Sequence, residues 1–357
     1  MRDLALLETR GSAPERGRQH GEAFRERIAA ACRRWPYPGK RNPQREALVK
    51  RTLEYLDGWC PELVQEITGI SEGARLPFED VLWLSTFNAH PHIPDWGLDP
   101  DAGEEKWCTG VVLRGSRGAY LGKTSDIDET QRAQYLLEKA TTETGMTYFS
   151  LRWVGNVWTE VGLNSAGLAV GANSGPAIGR GQDGYGVPQH AVLTVVLGRC
   201  GTVEQAVETL SGTVMCGKGQ NITLADAGGG GAVVEKSVDR TGVIPLEAGK
   251  GAVFTTNHCV TPALEGTGAG GNSLNRYLNL QRLLTQSEYR DPLETLQDLL
   301  ADHSDPGAIC QHGQDGLYTL ISCVADPRER LLFVNPDRGC LRSYRSFKTS
   351  EEIRHVL

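Results

Sequence analysis

WCTGVVLRGSRGAYLGKTSD, residues 107–126, is the stretch on which the reading of the fold turns. Val111, Val112 and Leu113 form an apolar run, Gly115-Ser116-Arg117-Gly118 has turn composition, and Tyr120 and Leu121 resume the run. That order predicts a β-hairpin. Just upstream, PHIPDWGLDPDAGEEK (91–106) carries Pro, Gly, Asp and Glu with no sustained apolar period, which predicts an exposed loop. Cys108 therefore stands where an acidic loop enters a strand.

Upstream of the loop, the first ninety residues read as helical. Leu63, Ile67 and Ile70 fall at i, i+4 and i+7 on one helix face, and Pro61 suits that helix's first turn. A second start lies at Pro77, before Val81, Leu82 and Leu84, and the stretches 17–34 and 43–58 are rich in good helix formers. Downstream of the hairpin, strands are predicted at 158–163, 167–172, 220–225, 231–236, 251–256, 317–325 and 330–335, and helices at 189–199, 203–211, 273–286 and 293–302. Thr202 and Gln205 make a capping box for the helix at 203, and Gly228–Gly231 reads as a turn. Strands and helices come in clusters without strict alternation, which predicts a layered α+β fold.

Composition narrows the function classes. With 357 residues, the chain is long enough for two unequal parts. A net charge of −7 argues against nucleic acid as the main partner, since phosphate binding needs a basic face. No apolar run approaches a membrane span, and the N-terminal Leu-Ala-Leu-Leu run is too short for an export signal, so a cytoplasmic location is expected. Nine widely spaced cysteines without a C-x-x-C pair then read as thiols, with neither a disulfide frame nor a metal site expected.

Four motif matches have unfavourable contexts. Gly69-Ile70-Ser71-Glu72-Gly73 fits G-x-S-x-G, but a nucleophile elbow needs a strand before the serine, and the residues here are helical. Gly266, Gly268 and Gly271 fit G-x-G-x-x-G without a good preceding strand. Gly212–Lys218 fits a phosphate loop, but Gly219 replaces the hydroxyl residue and a strand follows. His90-Pro91-His92 lacks a third clear ligand.

Taken in order, several segments carry a resemblance. They are Gly11-Ser12, RGRQHGE (16–22), EITGISEGARLPFEDVLWLS (66–85), WCTGVVL, GLNSAGLAVGAN (162–173), FTTNHCV (254–260) and DHSDPGAIC (302–310). Together they resemble the isopenicillin N acyltransferase-like family of autoproteolytic N-terminal-nucleophile (Ntn) cysteine hydrolases over nearly the whole chain. The resemblance implies a four-layer αββα sandwich with a helical N-terminal segment. It also implies self-cleavage between Trp107 and Cys108, giving residues 1–107 and 108–357 as two pieces of one integrated fold. Cys108 would be the nucleophile of an amide hydrolase or acyltransferase acting on a small acylated amine, thioester or peptide, through a thioester. No cofactor is expected, and a homo-oligomer stays open.

Other roles follow from the same resemblance. Asp126 would hold the new α-amine, Asn257 would donate to the oxyanion, and Asn173 would line the site. Arg276 would support it. Taken as plain residues, Asp126 could instead cap a turn, Asn173 could sit in one, and Arg276 could be a solvated helix arginine. Two positions depart from the family pattern: Lys123 replaces an arginine, and Trp107 replaces the glycine that precedes the cysteine in the penicillin acyltransferase. Rival readings are an uncleaved Cys–His hydrolase built with His258, His303 or His312, and a catalytically silent binding or scaffold protein.

Overall fold

The computed structural model describes residues 4–37, 42–86, 108–176, 185–264, 270–286, 291–313 and 316–353. It begins with a strand, β1 (Ala5–Gly11), followed by five helices: α1 (Ala13–Ala23), α2 (Arg25–Arg34), α3 (Pro43–Trp59), α4 (Pro61–Ala74) and α5 (Phe78–Thr86). The helical expectation thus stands for this region except at β1. That strand pairs in parallel with residues 136–142, a partner that no local period announces. The loop expected at 91–106, the His90-Pro91-His92 pair and Trp107 lie outside the described residues.

The G-x-S-x-G match lies inside α4, so it forms no elbow; Ser71 Oγ donates to the Leu76 carbonyl 2.7 Å away. Its glycines serve packing. Gly69 and Gly73 of α4 meet Gly17 and Gly21 of α1 so closely that a Cβ on any of them would lie 2.1–2.3 Å from a carbonyl oxygen of the other helix. Gly69→Ala is therefore expected to push the helices apart and cost about 1–3 kcal/mol, the usual penalty for overpacking. Urea unfolding checks this; wild-type stability in the variant would show that α1 and α4 are not in backbone contact.

The second part of the chain supplies β2 (Thr109–Gly115), β3 (Gly118–Asp128), β4 (Tyr135–Thr142), β5 (Thr147–Trp153), β6 (Val161–Asn164), β7 (Leu168–Gly175) and β8 (Val187–Pro188). Then come α6 (Ala191–Arg199), α7 (Val203–Ser211), β9 (Met215–Cys216), β10 (Gly219–Asp226), β11 (Gly231–Ser237), β12 (Arg240–Pro245) and β13 (Ala252–Thr255). Last are α8 (Gly271–Gln286), α9 (Pro292–Leu300), β14 (Leu317–Asp326), β15 (Leu331–Asn335) and β16 (Arg345–Lys348). Every strand and helix expected from the sequence in this part is present within a few residues. The Thr202 cap differs in detail: its hydroxyl accepts from the Gln205 N–H, while the Gln205 side chain reaches one residue further back, to the Gly201 N–H.

Two sheets form. One runs β1-β4-β5-β6-β7-β10-β11-β12 and the other β13-β2-β3-β14-β15-β16, antiparallel throughout except for β1 with β4. They face each other through β7 and β10 against β2 and β3. Helix α9 covers the outer face of the six-stranded sheet with α8 beside it at β13, and α6 and α7 cover the eight-stranded one. The result is the expected four-layer αββα sandwich. It explains why the hairpin reads VVL without polar alternation: Val112 and Leu121 join the core between the sheets, while Val111, Leu113 and Tyr120 pack with Leu280, Leu296 and Leu300 beneath the helices. Among the described residues no helix is long and apolar enough to cross a membrane.

Candidate active site

The hairpin places Cys108 at the entry of β2, buried at the inner edge of the six-stranded sheet. Its register sets Thr109 against Thr124 and Gly110 against Lys123, so Cys108 lies beside the Lys123–Asp126 stretch of β3. The backbone N–H of Asp126 bonds the Cys108 sulfur. Asp126 is fully buried within β3, so the turn-cap alternative is excluded. Thr319 Oγ1 donates to its Oδ1 at 2.7 Å and Thr124 Oγ1 to its Oδ2 at 3.0 Å. Burial pushes the Asp126 carboxyl up to about 6, with Thr319, Arg276, Thr124 and Lys123 opposing the rise.

Arg276 is fully buried on α8, not solvated. Its guanidinium joins two parts of the site. Nη1 donates to the Cys108 carbonyl at 2.7 Å and to Thr109 Oγ1 at 3.0 Å, and Nη2 donates to Asn257 Oδ1 at 2.8 Å. Asn272 Oδ1, 2.7 Å from Nε, fixes its plane. Asn257 spends one amide hydrogen on the Ser174 carbonyl at 2.8 Å; an NH2 group carries two, so a donor remains. Asn173 lies mid-strand in β7, not in a turn, and anchors the β13 end through the Thr255 and Thr256 carbonyls, each 3.2 Å from Nδ2. Among the described residues its buried Oδ1 has no hydrogen-bond partner.

Lys123 is wholly buried, and its Nζ donates to Ser125 Oγ at 2.8 Å and to Glu160 Oε1. Tyr135 Oη donates to the other Glu160 oxygen at 2.8 Å. Burial raises the Cys108 thiol, and the Lys123 ammonium pulls it back down. Burial alone would lower Lys123, but Cys108 and Glu160 outweigh it and hold the ammonium above its ordinary range. The Lys123 ammonium, with His190 behind it, overcomes the burial of Glu160 and brings its carboxyl down to about 2. The site therefore holds a charged Lys–Glu pair against a thiol.

A pocket opens over these groups, lined by Cys108, Asp126, Glu160 and Ser174 together with the aromatic rings of Tyr135, Trp153 and Trp158. The aromatic lining is continuous: Trp153 lies 5.7 Å from Trp158 and 6.0 Å from Tyr135, ring centre to centre. The three histidines of the rival reading have other partners. His258 bonds Ser273 Oγ at 2.9 Å, and His303 and His312 bond each other.

Residues 113–335 match the family model described as acyl-coenzyme A:6-aminopenicillanic acid acyl-transferase. The chain belongs to that family. That family places it among the enzymes of acyl transfer. No curated protein matches the chain. Among solved structures, it is similar to the Caenorhabditis elegans ortholog of N-acylethanolamine-hydrolyzing acid amidase, with 16% identity, 62% of this chain and 93% of that one covered, and a TM-score of 0.45. A variant of the conjugated bile acid hydrolase from Clostridium perfringens gives 12%, 70%, 100% and 0.44, and penicillin V acylase from Agrobacterium tumefaciens 15%, 64%, 82% and 0.41, in the same order.

Two site residues went unnoticed in the sequence, Glu160 and Tyr135. A signal for the first existed: Lys123 stands on the inward face of a strand with both faces buried, and a buried ammonium needs a carboxylate. Tyr135 gives no such signal, since a tyrosine at a strand start is common packing.

Proposed function

We propose that this acyl-transferase family member is a cysteine amidohydrolase or acyltransferase whose nucleophile is Cys108, freed as an N-terminus by self-cleavage after Trp107. In maturation the Cys108 sulfur attacks the Trp107 carbonyl carbon, and the peptide bond passes to a thioester as the Cys108 nitrogen takes a proton. Water then cleaves the thioester, leaving residues 1–107 and 108–357. The freed α-amine, with an ordinary pKa near ~7.7–8.0, serves as base for the adjacent thiol. Asp126 holds it. That carboxyl sits at about 6 while its nearest cations are Arg276 and Lys123, and an α-ammonium would draw it lower.

In turnover the thiol proton passes to the α-amine as sulfur attacks the amide carbonyl. The free amide hydrogen of Asn257 stabilises the oxyanion; one such donor contributes about 2.7–4 kcal/mol. Asn173 lines the site and holds the β13 end in place. Collapse expels the amine, which takes the proton, and water or a second amine then resolves the thioester and restores the thiol. The acyl group lies against Trp153, Trp158 and Tyr135, which favours an apolar acyl chain on a small amine. No cofactor takes part in any of these steps.

The observation that carries this reading is the Arg276 guanidinium, which fixes the Cys108 backbone and the Asn257 amide from one rigid group. Intact mass under denaturing conditions tests it. Wild type should give two pieces meeting at Trp107/Cys108, Cys108→Ala a single chain without turnover, and an acylating thiol reagent should mark Cys108. A single wild-type chain that turns over acyl amides would favour a Cys–His enzyme, and a folded protein whose Cys108 takes no label would favour a binding protein.

A further inference from the structure

Four histidine and cysteine side chains that the sequence scatters over residues 303–340 meet at one point. His303 follows α9, Cys310 and His312 lie on the loop entering β14, and Cys340 lies in the 3-10 turn Gly339–Leu341 between β15 and β16. Their imidazole nitrogens and sulfurs all lie within 4.8 Å of one another. His312 Nε2 alone faces three partners: His303 Nε2 at 2.9 Å, Cys340 Sγ at 3.5 Å and Cys310 Sγ at 3.6 Å. One ring nitrogen carries one proton or one lone pair, so hydrogen bonding satisfies only one of these contacts. A cation at the centre would satisfy all four groups together.

We propose that His303, Cys310, His312 and Cys340 form a tetrahedral structural zinc site. Zinc–nitrogen bonds of about 2.0–2.1 Å and zinc–sulfur bonds of about 2.3 Å place a nitrogen and a sulfur about 3.5 Å apart across a tetrahedral edge. The two contacts from sulfur to His312 have that length. The two nitrogens need to part by a few tenths of an ångström, and His303 and His312 are both exposed enough to turn. Two thiols lose their protons on binding, so Zn2+ with two thiolates and two neutral imidazoles carries no net charge. Ligation through His312 Nε2 puts its ring proton on Nδ1, which opens the 3.1 Å contact with Arg338 Nη1. Arg338 is about a third exposed and can turn towards Asp337.

The scaffold is set for chelation. Asp302 O accepts from the N–H groups of both Ile309 and Cys310, closing the loop that carries His303 and Cys310. Gly339 approaches so closely that a Cβ there would lie 2.1 Å from Leu300 O, which brings the Cys340 turn against the end of α9. No C-x-x-C spacing announces the site because its ligands come from three separate elements. The loop also supports Asp126: between Cys310 and His312, the Gln311 N–H donates to Thr319 Oγ1, which donates to the Asp126 carboxylate.

Metal content of the full chain tests the proposal. Purified under reductant, stripped of metal and reloaded, the wild type should take up one zinc per chain. With Co2+ it should show the intense visible bands of tetrahedral coordination and a thiolate charge-transfer band. Cys340→Ser and His303→Ala, checked for folding by circular dichroism, should lose the zinc and the charge-transfer intensity, while Cys108→Ala should keep one zinc. Zinc should raise the thermal midpoint of the wild type and leave that of Cys340→Ser unmoved. Folded wild type that takes up no zinc, equal uptake in Cys340→Ser, or a Cys310–Cys340 disulfide persisting in reductant would each overturn the site.

Discussion

Replacing Lys123 with Met should lower stability by about 3–5 kcal/mol near neutral pH and leave Cys108 almost unreactive towards alkylating reagents. The first effect comes from Glu160. Breaking a buried pair by removing one partner leaves the other charge uncompensated, at about that cost. Glu160 is brought from an ordinary 4.5 to about 2 in the folded state, so its stabilising contribution is complete above about pH 4.5 and is lost as pH falls towards 2. Without Lys123 this reverses: the carboxylate is destabilising when charged and tolerable when protonated. The gap between Lys123→Met and wild type should therefore be widest above about pH 5 and close on acidification.

The second effect comes from the thiol. Burial already raises Cys108, and the nearby ammonium is the main opposing influence. Lys123→Met/Glu160→Gln separates the two effects, because it removes both charges and should recover much of the stability without restoring the thiolate. Urea unfolding across pH, with mass spectrometry of the Cys108 peptide after timed alkylation, reads both quantities. Alkylation of Lys123→Met at the wild-type rate would show that the ammonium does not poise the thiol.

Where the sequence was legible, one local pattern sufficed. The hairpin at 109–128, the helix started by Pro61, the stretch at 43–58 rich in helix formers and the β10–β11 pair all follow from short-range composition, period and turn chemistry. Strands β4 and β5 do not, and the reason is physical. YLLEKATT and TYFSLRW carry Glu138, Lys139 and Arg152 at positions where a strand facing the core should be apolar. Those charges are buried because they have partners on β1, α4 and the C-terminal segment: Thr9, Glu66 and the Glu351 carbonyl. The site divides in the same way. The loop–strand junction marks Cys108, whereas its role as nucleophile and the roles of Asp126, Asn257 and Arg276 come through family resemblance. Glu160 emerges only when the opposed sheet brings β6 over β3, and the His/Cys cluster only when the 3-10 turn at Gly339 folds against α9.

Arg152→Met should be the most destabilising single change outside the catalytic groups, at about 3–5 kcal/mol or more, because it removes the centre of a four-charge network. Arg152 is fully buried in β5 and donates through both terminal nitrogens to Glu66 Oε1, at 3.1 Å each, and also to Glu138 Oε2 and the Asn156 carbonyl. Arg16 holds the other Glu66 oxygen at 3.1 Å, and Thr9 the other Glu138 oxygen at 2.7 Å. Two arginines thus balance two carboxylates, and losing one arginine leaves a net negative charge in the interior. The network also spans the proposed cut. Thr9, Arg16 and Glu66 precede residue 107, whereas Glu138 and Arg152 follow it, and β1 contributes an edge strand to the sheet beside them. If Cys108 frees itself as proposed, no peptide bond joins the pieces afterwards, and this network, the β1–β4 pairing and the apolar core the pieces share hold them together. Native mass spectrometry should then show the matured wild type as one complex and matured Arg152→Met as separated pieces. Cys108→Ala/Arg152→Met should stay one chain but unfold at lower urea than Cys108→Ala. A matured Arg152→Met complex as stable as wild type would move the joint between the pieces to the strand pairing and the apolar contacts of α4.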